Sequence, residues 1–428
     1  MKDNKLLHIL HSQVVPAVGC TEPVSVAIAV ATAKEHIGGT IMNVTAETSK
    51  NIFKNGLRVG IPGTREKGIP FAIALALSIK DPQLDLEIFK NVTEADILRA
   101  QQYIDSDIIR VGTTKKDYDF YVDVNLTTSE GTVQCIIESN HTNVVSIKKD
   151  GIELISNQKD EEHTQEDAAT IESLEEIYDF IENVSPSDIE FLLEGVEMNL
   201  AVSQAGKKEH YSSGLGFTLF RLMESGALSA DTLTRIKAYT ASACDARMGG
   251  LNIPVMSSAG SGNQGISAII PIAILSKELN CSNESLSRAL ALSHLITSYI
   301  KQQTGRLSPV CGCAVAAGIG AACGMTYLQK GTREEISMAM NNMIGSLSGM
   351  VCDGAKGGCS YKLVTAVGEA YQQSVVARSH TTIADYDGII GGDVEQSITN
   401  LASLCTVGMH DVDKTLIDIF SKERSSLS

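Results

Sequence analysis

The chain has 428 residues, 43% of them hydrophobic, enough to bury at least one large core and long enough for two domains or one domain with a large insertion. Thirty-five basic side chains against fifty-one acidic give a formal charge of -16, which repels nucleic-acid phosphates and anionic membrane surfaces and argues against both as partners. Ten cysteines in a chain that shows no export signal point to a reducing compartment, where metal binding or catalysis is a more natural use of thiols than a disulfide framework.

In chain order, MKDNKLLHILHSQVV lacks the basic stretch, apolar core and small-residue cleavage site of a leader. It reads as an amphipathic helix, so a cytoplasmic location is expected. Residues 20–36 (CTEPVSVAIAVATAKEH) open with a turn containing Pro23, are rich in Ala and Val, and end before Gly38 and Gly39. That is the pattern of a buried helix with Cys20 at its start. These amino-terminal helices, residues 1–39, are expected to pack on the helical domain further along. Residues 40–157 alternate β-branched segments such as TIMNVTAETS, DYDFYVDVNLTT and TVQCIIES with Gly, Asn and Asp turns, predicting a small α+β domain with an antiparallel sheet. Its long apolar helix is FAIALALSI, residues 71–79.

Residues 158–184 begin with the acidic QKDEEHTQEDAATIESLEEI, read as a solvated linker leading into a surface helix. Residues 185–428 are almost wholly helical in pattern, and frequent Ala and Gly let helices approach closely. The most apolar run, residues 265–275 (GISAIIPIAIL), falls short of the roughly 20 residues a membrane span requires and contains Pro271. It predicts a buried helix, and no membrane is expected. The expected fold class is therefore α+β: a large Ala/Gly-rich helical catalytic domain and a smaller α+β domain. Such helices also permit a homodimer.

The chemistry concentrates in the cysteines. Cys135, Cys244, Cys281, Cys323 and Cys405 are scattered and read as small buried hydrophobes. Cys311 and Cys313 stand together in SPVCGCAVAAGIGAACG, and Cys352 and Cys359 flank three glycines in CDGAKGGCSYK. On one continuous helix the last two would lie roughly 10 Å apart, too far for neighbouring irons of one cubane. Gly354, Gly357 and Gly358 are expected to break the helix and fold a loop whose N–H groups can hydrogen-bond sulfur. The spacing is not that of ferredoxin runs or of short zinc knuckles, so iron and sulfur, a structural zinc site and plain buried thiols all stand as readings.

Taken together, GCTEPVSVA, SAGSGNQGI, GRLSPVCGCAVAAG and CDGAKGGCSYK, in that order over essentially the whole chain, resemble the L-cysteine desulfidase family. That family is distantly similar to the helical catalytic part of iron–sulfur L-serine dehydratases. The resemblance implies a [4Fe–4S] cluster held by three cysteines with its fourth iron open. Cys352 and Cys359 carry over directly; Cys311, in the LSPVCG turn, is preferred as the third ligand, with Cys313 as competitor. It further implies elimination of sulfide from the small amino acid L-cysteine without pyridoxal phosphate, leaving ammonia and pyruvate, and Cys20 as the base. A thiol at a helix amino terminus sees unpaired N–H groups and the positive end of the dipole, which favour thiolate; simple packing is the alternative. Glu22 is an alternative base or a partner for the substrate ammonium. In SAGSGNQGI, Ser258, Ser261, Asn263 and the glycines form either an anion nest for the substrate carboxylate or a helix-capping turn.

Lys54 and Asn55 in NIFKNG, and Pro62, Gly63 and Thr64 in GIPGT, also resemble family positions and would line the pocket from across the domain cleft. Each taken singly is equally a surface charge or a turn residue. The triplet His141, Thr142 and Asn143 reads as a strand edge or a substrate contact. L-serine is the alternative substrate, and a cluster-bearing redox or iron sensor that binds a protein partner is the alternative of another class.

Overall fold

The computed structural model describes residues 5–79, 86–115, 118, 120–156, 170–305 and 308–425. Most of the acidic linker expected at 158–184 (residues 158–169), and Arg306 and Leu307 of the GRLSPVCGC motif, lie outside the described residues. The chain opens with α1 (Lys5–Gln13), a two-residue strand β1 (Pro16–Ala17) and α2 (Thr21–Glu35). The α+β unit continues with β2 (Ile41–Thr48), α3 (Lys50–Gly56), α4 (Gly68–Ser78), α5 (Glu94–Asp105), β3 (Ile109–Thr113), β4 (Tyr121–Thr128), β5 (Gly131–Glu138), β6 (Val144–Lys149) and β7 (Ile152–Ser156). Its six strands run in the order β3-β2-β4-β5-β6-β7, antiparallel throughout except for the parallel β2–β3 pair.

Side chains alternate strictly along β4 and β5, so one face of the sheet is buried and takes α2 and α4 as its cover. This corrects the expectation for residues 1–39. Helix α1 packs on the helical unit, through Leu6, Ile9 and Leu10, whereas the body of α2 is clamped between the sheet and α4. Its Ala and Val residues are buried on every side, and a helix with no polar face needs such a double cover.

The helical unit comprises α6 (Leu174–Asn183), α7 (Pro186–Ile189), α8 (Leu192–Lys208), α9 (Leu215–Glu224), α10 (Thr232–Met248), the two-residue strand β8 (Val255–Met256), α11 (Gly262–Glu278), α12 (Asn283–Thr304), α13 (Ala316–Leu328), α14 (Arg333–Leu347), α15 (Cys359–Ala377), α16 (Val394–Ser403), a π-helical turn at Leu404–Gly408 and α17 (Val412–Ser425). Helices α11 and α13 are buried along nearly their whole length and form the centre. Glycine permits that closeness: a Cβ on Gly320 of α13 would come within 2.4 Å of the Ser293 carbonyl oxygen of α12. Among the described residues no helix is long and apolar enough to cross a membrane.

Backbone hydrogen bonds at two places help dock the amino-terminal segment and the α+β unit onto this bundle. Strands β1 and β8 pair antiparallel, Pro16 opposite Met256 and Ala17 opposite Val255, which carries Cys20 to the start of α11. The turn at residues 60–64 lies against the end of α10, with Gly60 N–H donating to Met248 O at 3.0 Å and Gly63 N–H to Gly250 O at 3.1 Å.

Candidate active site

The glycines do break the helix. Residues 352–358 form a loop, Gly354 takes φ +90°, and α15 starts only at Cys359. Val310 and Val351 form an antiparallel bridge, with Cys311 N–H donating to Met350 O at 2.8 Å and Cys352 N–H donating to Pro309 O at 2.7 Å. Two turns far apart in sequence are thereby locked edge to edge, with Cys311 beside Cys352. Cys359 Sγ sits 3.6 Å from Gly354 O, on the inner side of the same loop.

Electrostatics ties the three thiols together. Burial first, then the charge of Cys311, pushes Cys352 up, and the same two causes push Cys359 up to about 11. Cys311 itself is pushed well up by a hydrogen bond with Cys313 and by burial. Cys313, that hydrogen-bond partner, also lies 3.7 Å from the Ser261 hydroxyl. Among the described residues no three His, Cys, Asp or Glu side chains converge tightly enough for a single metal ion. One ion at about 2.3 Å from each thiolate would need its sulfurs within about 4 Å of one another; a cubane, which offers each thiolate its own iron, does not.

Lysines surround the thiols. Lys362 donates to Val351 O at 2.6 Å and pairs with Asp353, fixing the loop from the first turn of α15. Lys301 of α12 is 7% exposed; burial lowers its pKa, opposed by the charges of Cys313, Cys352, Cys405 and Cys311. Lys54 reaches the loop from α3: a Cβ on Gly354 would come within 2.2 Å of the Lys54 carbonyl oxygen. Its side chain, 2% exposed, pairs with Asp413 of α17 at 2.6 Å. Cys244, read as a small buried hydrophobe, is fully buried and close enough that the charge of Cys359 is the first cause after burial of its raised pKa.

The GCTEP turn meets the bundle at Arg247, which donates to the Gly19 carbonyl oxygen. Cys20 is the N-cap of α2, in extended conformation and with no side-chain cap. Its thiol donates to Glu22 Oε2 at 2.8 Å, and Glu22 Oε1 accepts from Asn55 Nδ2 at 3.0 Å. Burial and then the Glu22 charge push the thiol well up, while the Arg247 guanidinium pulls it the other way. The dipole argument favouring thiolate is therefore outweighed by desolvation. His141, in the β5–β6 turn, is 2.8 Å from the Thr21 hydroxyl and so touches this turn; Thr142 and Asn143 are exposed. Pro62 packs against Gly19, and the Thr64 hydroxyl closes its own turn on Ile61 O, so neither points to chemistry.

The SAGSGNQ segment is narrower than a free nest. Ala259 and Gly260 both have positive φ, and Ser258 and Ser261 exchange backbone hydrogen bonds at 3.1 and 3.0 Å as a two-residue hairpin. The Ser258 hydroxyl is 2.8 Å from Nδ1 of the buried His294, whose pKa burial lowers to about 3. Asn263 Oδ1 accepts from Arg247 at 3.0 Å. Only Ser261 presents its hydroxyl to the cysteines. Arg247, Lys301, Lys362, Gln264 and His294 were not singled out from sequence; the available signal was a lone charged or polar residue within an otherwise apolar helical stretch.

The pattern of a family described as serine dehydratase alpha chain matches residues 83–418. The chain is 38% identical over 423 residues to a UPF0597 protein of Clostridium tetani and 40% identical over 423 residues to one of Phocaeicola vulgatus. It is 38% identical over 428 residues to one of Porphyromonas gingivalis, and in all three cases 98% of each chain is covered.

Proposed function

The chain belongs to the serine dehydratase alpha chain family, and from that premise we propose that it is a lyase that removes the β-substituent of L-cysteine, giving sulfide, ammonia and pyruvate. The supporting observation is the Val310–Val351 bridge, which puts the Cys311 turn and the Cys352–Cys359 loop side by side. The donor set suits a [4Fe–4S] cluster: three thiols on separate backbone positions, with Lys54, Lys301 and Lys362 nearby to balance its negative charge. Cys352, Cys359 and Cys311 would hold it, Cys311 being preferred to Cys313 because its charge bears on both other thiols. Such a cluster, when bound, supplies a Lewis-acidic iron for the departing sulfur or oxygen.

The chain's own residues do the rest. Cys20 takes the Cα proton, with Glu22 hydrogen-bonded to its sulfur and Asn55 steadying Glu22. The start of α11, with Ser261, receives the substrate carboxylate, while Asn263 is held by Arg247 and Met248. Loss of the proton and the β-substituent leaves aminoacrylate, whose imine tautomer water hydrolyses to pyruvate and ammonia. The name of the matching family favours L-serine as a second reading, with hydroxide as the leaving group.

Anaerobically purified protein should contain iron and acid-labile sulfide, release sulfide and pyruvate from L-cysteine, and lose cluster and turnover together in Cys352→Ser. Pyruvate from L-serine at a higher kcat/KM would reverse the substrate order. A full complement of iron and labile sulfide with turnover of neither amino acid would defeat the lyase reading.

A further inference from the structure

Arg247 lies in the last turn of α10 and is 7% exposed. Its guanidinium donates to Asn263 Oδ1 at 3.0 Å and to the Gly19 carbonyl oxygen, both neutral, and among the described residues its Nε–H has no hydrogen-bond partner. A buried cation held only by neutral acceptors is costly, because desolvation is not repaid by an opposite charge. Its position raises that cost. A Cβ on Gly262, the first residue of α11, would come within 2.5 Å of Arg247 Nε, so the cation lies against the positive end of a seventeen-residue helix. Ser261 at the N-cap makes no side-chain cap, and the first α11 amide bonded back into the helix is Gly265 N–H, to Ser261 O. The amides before it have no intrahelical acceptor. In the same turn, Gln264 is 6% exposed and among the described residues its Oε1 has no donor.

An uncompensated guanidinium, a helix amino terminus and uncapped amides call for an anion, and a buried acceptor beside them suits an ammonium group. We propose that Arg247 and the first-turn amides of α11 bind the α-carboxylate of the amino-acid substrate, and that Gln264 receives its ammonium. The same guanidinium holds Gly19, the residue before Cys20, which would bring the substrate Cα to the proposed base. This deepens, and rests on, the amino-acid lyase reading.

The test measures binding and not turnover. L-Alanine carries the α-carboxylate but no leaving group; L-alaninamide lacks the negative charge. Titrated calorimetrically into anaerobically purified protein, L-alanine should bind at least about tenfold more tightly than the amide, as expected for a charge-assisted contact. Asn263→Asp gives Arg247 an internal carboxylate, so L-alanine affinity should fall about 10- to 150-fold while the unfolding temperature holds or rises. Arg247→Gln should lose L-alanine affinity similarly and leave the amide unaffected. Wild-type protein that binds both compounds equally, or binds neither, overturns the proposal, as does undiminished L-alanine binding in either variant. Normal L-alanine binding with no turnover of cysteine or serine would instead sink the lyase reading and leave the Arg247 site standing.

Discussion

Cys20 and Glu22 share one hydrogen bond, and the direction of the thiol's pKa shift decides how to tell which of them is the base. Burial and the Glu22 carboxylate both raise it, so in the free protein sulfur holds its proton and activity that needs thiolate should climb toward alkaline pH. Glu22→Gln removes a negative neighbour and therefore lowers the thiol pKa. The rising limb of kcat/KM should move to lower pH, while Cys20→Ser should lose about 10²- to 10⁴-fold in kcat and retain its iron. A Glu22→Gln protein that is dead at every pH would make Glu22 the base instead. The residues themselves were unevenly legible. Thiols flanking a glycine loop announce a site, because glycines in that number have no use in a helix. Arg247 and Lys301 do not, because a cation within an apolar helical run acquires meaning only from what it faces after folding.

The cysteine loop is a single structural piece whose shape depends on Gly354. At φ +90° only glycine is comfortable, and the Lys54 carbonyl oxygen occupies the place where a Cβ would go. Gly354→Ala should push the loop off α3, lower stability by about 2 kcal/mol or more, and cut iron content per chain. Gly349→Ala is the control: it is exposed and a Cβ there meets nothing within 4 Å, so iron content and unfolding temperature should match wild type. Equal iron content in both variants would mean that the loop's contact with α3 does not shape the thiol site. The break before α15 was readable from glycine spacing. The Val310–Val351 bridge was not, since pairing between two single residues leaves no period in the sequence. The partner of α2 was misjudged for a related reason: Ala and Val on every face specify burial but not the surface that provides it.

The whole molecule brings an α+β unit and a helical unit together over one set of thiols, and the α+β class follows from the switch between alternating and helical patterns. What composition does not specify is how the units lock. Helix α17 crosses from the bundle to α3, and Asp413 at its start pairs with Lys54 at 2.6 Å. The Lys54 side chain is 2% exposed whereas that of Asp413 is 19% exposed, so the lysine bears most of the desolvation and depends on its partner. Replacing Asp413 by Asn leaves a buried ammonium uncompensated, a change that typically costs about 3–5 kcal/mol for a fully buried pair and should cost toward the lower end here. Lys54→Met with Asp413→Leu removes both charges and should recover much of that loss, because no unpaired charge is left inside. Lys54 also holds the Cys352 pKa down, so the double variant should be stable yet bind its iron less firmly, with faster loss to a chelator than wild type. Denaturant unfolding of the three proteins alongside the rate of iron loss separates these effects. If the single variant unfolds no more readily than wild type, the pair is a surface contact and α17 does not hold the units together.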